Sequence, residues 1–144
     1  MIGIILTGHG NFASGLYSSV KLIAGVKEDF ICCDFVEGAS DEDLKEDLIK
    51  AVEQLRENCA GIIIFSDLKG GSPFQKAVTV AYGQEDIQVI AGSNLPMILE
   101  ITLGREHIDD LEMLSEMAIN TGKDQIYRFE KVQAKERQES EDGI

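Results

Sequence analysis

Tryptophan is absent from this 144-residue chain, which carries only three tyrosines and six phenylalanines. A flavin site usually brings aromatic rings to stack on its cofactor, so a flavin-binding reading has little to stand on. Cations are scarce too: 13 Lys and Arg stand against 26 Asp and Glu, for a net charge of −13. Nucleic-acid binding relies on Lys and Arg to neutralise phosphates, so this balance argues against nucleic acid as a partner. Any phosphate the chain handles must be held by local geometry, not by a global positive field. Long apolar runs are missing as well. No stretch approaches the roughly 20 apolar residues that span a bilayer. The opening run Ile2 to Leu6 is too short for a signal peptide. The expectation is a cytosolic protein with no direct membrane insertion. Only three cysteines occur, Cys32, Cys33 and Cys59, without metal-ligand spacing and unable all to pair. They read as small hydrophobes in a reducing compartment, with the adjacent Cys32 and Cys33 on opposite faces of a strand.

What is present is a regular alternation. Ile2 to Leu6 and Gly61 to Ser66 are continuous apolar runs, the pattern of strands covered on both faces. Phe30 to Val36 and Gln88 to Ala91 read as two more strands. Between them, Phe12, Leu16, Val20, Ile23 and Ala24 recur at helical spacing behind Asn11 as N-cap, and Gly25 ends that helix. Leu44, Leu48, Ile49, Val52 and Leu55 follow a Ser40–Asp43 capping box. A third helix is expected from Ser72 to about Tyr82, with Ser72 as N-cap, Pro73 at the first position and Gln75 at the capping-box position. Pro96 opens a fourth, and Ile108 to about Asn120 forms a fifth, broken by Thr121-Gly122. Ile126 to Phe129 alternates like a short strand. The domain is placed at residues 1–130, and the polar tail 131–144 reads as disordered.

Strand and helix in alternation predict an α/β doubly wound fold with a parallel sheet between helix layers. In the common order 2-1-3-4, strands one and three are neighbours where the winding reverses, and ligands sit outside their carboxyl ends. The loop after strand one holds His9 within Thr7-Gly8-His9-Gly10-Asn11. The loop after strand three is Asp67-Leu68-Lys69-Gly70-Gly71-Ser72-Pro73. A carboxylate at Asp67 would accept from Nδ1–H of His9, leaving the Nε2 lone pair outward as a nucleophile. Gly70, Gly71 and Ser72 lead into a helix N-terminus, where unpaired N–H groups and the macrodipole favour a phosphoryl group. Taken singly, a histidine at a strand end is more often structural, and Gly-Gly-Ser-Pro is a common turn; their joint placement carries the reading. His107 reads as a surface residue, and Asp109, Asp110 and Glu112 as a solvated helix start and not a metal site.

These motifs, with Asp34-Phe35 and Gly92-Ser93-Asn94-Leu95-Pro96-Met97, resemble the mannose-type IIA domain of the bacterial sugar phosphotransferase system over about Met1 to Phe129. The resemblance implies that His9 is phosphorylated on Nε2 by phospho-HPr and passes the group to a sugar-specific IIB component. Asp67 would be the orienting carboxylate, with Gly70, Gly71 and Ser72 at the phosphate. It implies no cofactor and no metal. It also implies a homodimer that exchanges a C-terminal antiparallel strand, matched here by Ile126 to Phe129. One departure stands out. Lys69 occupies a loop position where members often carry an aromatic, and Phe12 is the aromatic retained. A regulatory module that accepts phosphate without passing it on is the alternative. A receiver-like domain would want acidic residues after the first strand, and Ile5-Leu6-Thr7 offers none.

Overall fold

The computed structural model describes residues 1–131. The four apolar runs become four strands: β1 (Gly3–His9), β2 (Phe30–Phe35), β3 (Ile62–Phe65) and β4 (Ile87–Ile90). All pair in parallel, in the order β2-β1-β3-β4. Five helices complete the described chain: α1 (Phe12–Ala24), α2 (Asp41–Arg56), α3 (Ser72–Ala81), α4 (Leu95–Gly104) and α5 (Leu111–Asp124). Alternate strand residues feed two cores. Ile4, Leu6, Ile63 and Phe65 pack with residues of α1, α4 and α5, while Ile5, Ile62 and Ile64 pack with α2 and Ala77 of α3. Every residue of β3 is fully buried, as expected for a central strand sandwiched by helices. Cys32 joins the first core and Cys33 the second. Burial pushes their thiols up, to about 11 and about 12, which keeps them protonated and unreactive.

Several boundaries fall differently from the sequence expectation. Gly71, not Ser72, is the N-cap of α3, and Ser72 is its first helical residue. The chain turns on Gly70 at φ +92 and enters the helix one residue earlier. The fifth helix begins at Leu111, because Asp110 caps it by accepting from Met113 N–H at 3.0 Å. Its neighbour Asp109 pairs with the N-terminal ammonium at 3.5 Å. Thr121-Gly122 does not break α5, which runs on to Asp124. Gly122 is buried inside it against Met97, where a β carbon would lie 3.4 Å from the Met97 sulfur, and its carbonyl accepts from Asn94 Nδ2. Close helix packing, not chain reversal, uses that glycine. Among the described residues Ile126 to Phe129 forms no strand, and Ile126 and Phe129 are exposed. A strand exists only in a ladder, and no described strand takes this segment into one, so its alternation yields no strand here. The tail from 132 onward lies outside the described residues.

The far end of the sheet is tied by a residue that periodicity does not flag. Arg105, just past α4, is buried at 2% exposure. Its Nη1 donates to the carbonyls of Ile2 at 3.1 Å and Asp29 at 2.9 Å, and its Nη2 to that of Glu28 at 2.6 Å. It thereby gathers the chain entering β1 and β2, with the Phe30 ring 6.0 Å from the guanidinium. Replacing Arg105 by Met takes its donors from the carbonyls of Ile2 and Glu28, and one of two donors from that of Asp29, which also accepts from Ile4 N–H at 3.0 Å. We expect a loss of about 3 kcal/mol, measured by urea unfolding, with the site at the opposite end of the sheet unchanged.

Candidate functional site

At the carboxyl end of the sheet the chain leaves β1 toward the α1 face and β3 toward the α3 face. The crevice opens between them, at the reversal of winding. Register places Leu6 beside Phe65, so His9 and Asp67 emerge side by side from adjacent strands. His9 sits on the α2–α3 side of the sheet, the same side as Ile5, and its side chain is 47% exposed. Gly10 turns the chain after it, at φ +59, a conformation L side chains rarely adopt.

One carboxylate organises the site. Asp67 Oδ2 accepts from the backbone N–H of His9 at 2.8 Å and lies 2.7 Å from His9 Nδ1. Its Oδ1 accepts from Leu68 N–H at 2.7 Å. Burial of Asp67 opposes ionisation, but the bonds from the His9 backbone, the His9 ring and the Leu68 backbone outweigh it. The carboxyl is therefore held below its ordinary range. An ionised carboxylate can only accept, so in the neutral imidazole it selects the tautomer with the proton on Nδ1 and the lone pair on Nε2. The Phe35 ring, 6.2 Å away in an edge arrangement, bounds the imidazole on the β2 side.

The other wall is α3. A β carbon on Gly71 would lie 2.7 Å from Cε1 and 3.3 Å from Nε2 of His9, so the backbone at 71 touches the ring directly. No side chain caps this helix, and Pro73 in its first turn has no N–H of its own. By contrast, α2 and α4 have full capping boxes and α5 is capped by Asp110. The start of α3 therefore keeps first-turn donors and a positive dipole end next to Nε2. Ser72 Oγ lies 3.4 Å from Asp41 Oδ2, and Gln75 Nε2 donates to the Gly70 carbonyl at 2.9 Å, holding the turn.

His9, Asp67, Gly70, Gly71 and Ser72 thus share one crevice. His107 is exposed and outside it. Sequence reasoning gave no role to Asp34, at the end of β2. Its carboxylate accepts from Ser14 N–H at 2.9 Å and Ser14 Oγ at 2.6 Å. Asp34, not the side chain of Asn11, therefore caps α1, since Asn11 makes no such bond. It stands at a strand end facing a helix start, a placement visible only once the strand order is known. Asp41 was also missed.

Gly71 has φ −76, which alanine tolerates, so Gly71→Ala should fold normally and displace the His9 ring. The expected outcome is a stability change under about 1 kcal/mol with clearly shifted His9 ring resonances by NMR. An unshifted ring would refute the contact.

Known proteins share this fold and sequence. A family model described as "PTS system fructose IIA component" matches residues 3–119. The fructose-specific EIIA component of Bacillus subtilis is 29% identical over 117 residues, covering 81% of this chain and 80% of that one. The mannose-specific EIIAB component of Escherichia coli K12 is 30% identical over 125 residues, 87% of this chain, which spans only 38% of that longer protein. A crystal structure of phosphotransferase system component EIIA from Streptococcus agalactiae superposes with TM-score 0.78 at 32% identity, over 90% of this chain and 98% of that one. Among the described residues no helix is long and apolar enough to cross a membrane. The chain belongs to the mannose/fructose-type IIA family of the sugar phosphotransferase system.

Proposed function

We propose that this chain is a phosphocarrier: His9 Nε2 accepts a phosphoryl group from phospho-HPr and passes it to a sugar-specific IIB component during carbohydrate uptake. The observation that carries this reading is the 2.7 Å contact between His9 Nδ1 and Asp67 Oδ2, with the other ring nitrogen directed to an uncapped helix start. In the first step the Nε2 lone pair attacks phosphorus, and an N–P bond forms as the donor's bond to phosphorus breaks. The imidazole then carries positive charge, which the Asp67 carboxylate offsets. Gly70 and Gly71 bring backbone close to the phosphoryl oxygens, and the α3 start with Ser72 supplies donors. Positioning and charge stabilisation are the main demands of phosphoryl transfer, so a site without metal or cofactor suffices. Onward transfer reverses these steps, with a IIB group as the nucleophile. A cytoplasmic location follows from this role.

A homodimer belongs to the same proposal. Among the described residues, β4 is an edge strand. Beside it lies a cavity of about 220 Å³ lined by Ile90, Met97, Ile119 and Ile126 among others. An antiparallel strand from a second copy, using Ile126 to Phe129, would cover that edge. Sedimentation of the whole chain should give a dimer, and a chain ending at Gln125 should give a monomer.

Incubation with phosphoenolpyruvate, enzyme I and HPr should place an acid-labile, base-stable phosphate on the protein. His9→Ala should abolish it, and Asp67→Asn should slow transfer by about 100-fold with the fold retained. A His9→Ala protein that still accepts phosphate would falsify the assignment. Failure to pass phosphate to any IIB would favour the regulatory role instead.

A further inference from the structure

Ser72 has one hydroxyl proton, and a group other than phosphate already faces it. Asp41 is the first residue of α2 and Ser72 the first of α3, and their side chains meet at 3.4 Å. A second tie, Lys76 Nζ to Glu42 Oε1 at 3.5 Å, repeats the contact one turn along α3. The three acids that open α2 thus divide: Asp43 completes the capping box with Ser40, Glu42 faces Lys76, and Asp41 reaches the crevice. Its carboxylate stands beside two helix starts, where an anion is drawn.

We propose that Asp41 is a positioning residue that competes with the phosphoryl group for the Ser72 hydroxyl and so raises the tendency of phospho-His9 to surrender its phosphate. This rests on the reading of His9 as phosphoacceptor. A hydroxyl donates one hydrogen bond at a time. With Nε2 unmodified, the proton points to Asp41. A phosphoryl group on Nε2, next to Gly71, presents oxygens of higher charge to the same hydroxyl and repels the Asp41 carboxylate. The 3.4 Å separation is longer than the usual O–H···O range of about 2.5–3.0 Å, so the contact is weak and yields readily. Asp41 is exposed and can turn to water. The lost bond and the like-charge repulsion both fall on the phosphorylated state alone. A carrier that must give its group away gains from holding it less tightly.

The test is the phosphotransfer equilibrium at a fixed ratio of phospho-HPr to HPr, for wild type and Asp41→Asn. The substitution keeps the side chain's size and removes its charge. We expect it to shift the equilibrium about five-fold toward phospho-His9, and the shift to fall clearly, to about two- to three-fold, in a Ser72→Ala background, where only the like-charge repulsion is left. Glu42→Gln, which removes an equal charge from the same turn, should leave the equilibrium within about two-fold of wild type. A shift below two-fold for Asp41→Asn, or one of equal size without the Ser72 hydroxyl, overturns the proposal. If phospho-HPr fails to label the wild type, the donor assignment falls, and the Asp41 effect is read on protein phosphorylated with phosphoramidate. The phosphohistidine half-life should then lengthen about five-fold in Asp41→Asn, and an unchanged half-life overturns the proposal by this route. A His9 that takes phosphate from neither reagent removes both readings together.

Discussion

The carboxylate of Asp67 is the interaction on which the site depends. A single oxygen, Oδ2, receives both the backbone N–H and the ring nitrogen of His9, so the path of the loop after β1 and the orientation of the imidazole have one cause. Neither bond forms unless β1 and β3 are neighbours in a register that brings their carboxyl ends level. The parallel sheet is therefore more than a support. It makes a residue near position 9 and another near position 67 adjacent, and it does so at the one place where the following helices part to opposite faces.

In a chain of net charge −13, a positive anchor for phosphate has to be local. The helix starts show how that is arranged. Those of α2, α4 and α5 are satisfied by side chains of Ser40, Asn94 and Asp110, and that of α1 by Asp34 across from β2. The start of α3 alone among the described helices has no side-chain cap and touches the reactive ring through Gly71. Dipole and free donors together favour an anion there without a cationic side chain in the first turn. The same attraction favours the Asp41 carboxylate beside Ser72.

Stability and chemistry occupy opposite ends of the sheet. At the amino ends of β1 and β2, Arg105 satisfies three carbonyls from within the core. Beyond the carboxyl ends of β1 and β3 stand the half-exposed His9 ring and the Asp67 carboxylate. Between them the strands are filled with Ile, Leu and Phe that carry no reactive group, and the strand cysteines are protonated by burial. This separation lets the crevice keep an unpaired nitrogen and open amides while the core supplies the folding free energy.

Apolar runs and helical spacing determined the four strands, the helices between them and the two loops that hold His9 and Asp67. These patterns are local, repeated many times, and enforced by burial of backbone and side chain together. Residues with one partner each were not legible in this way. Ser72 as N-cap was a local inference that the turn at Gly70 overrode, and Gly122 resembled a helix stop because its packing against Met97 is a contact between α4 and α5. Asp34, Asp41 and Arg105 act across 20 to 103 residues of chain, so no window of sequence contains both halves of their interactions. The sequence by itself determined which residue types stand at the ends of strands one and three. Only the tertiary structure decided that they meet, because adjacency and register belong to the sheet and not to either strand alone.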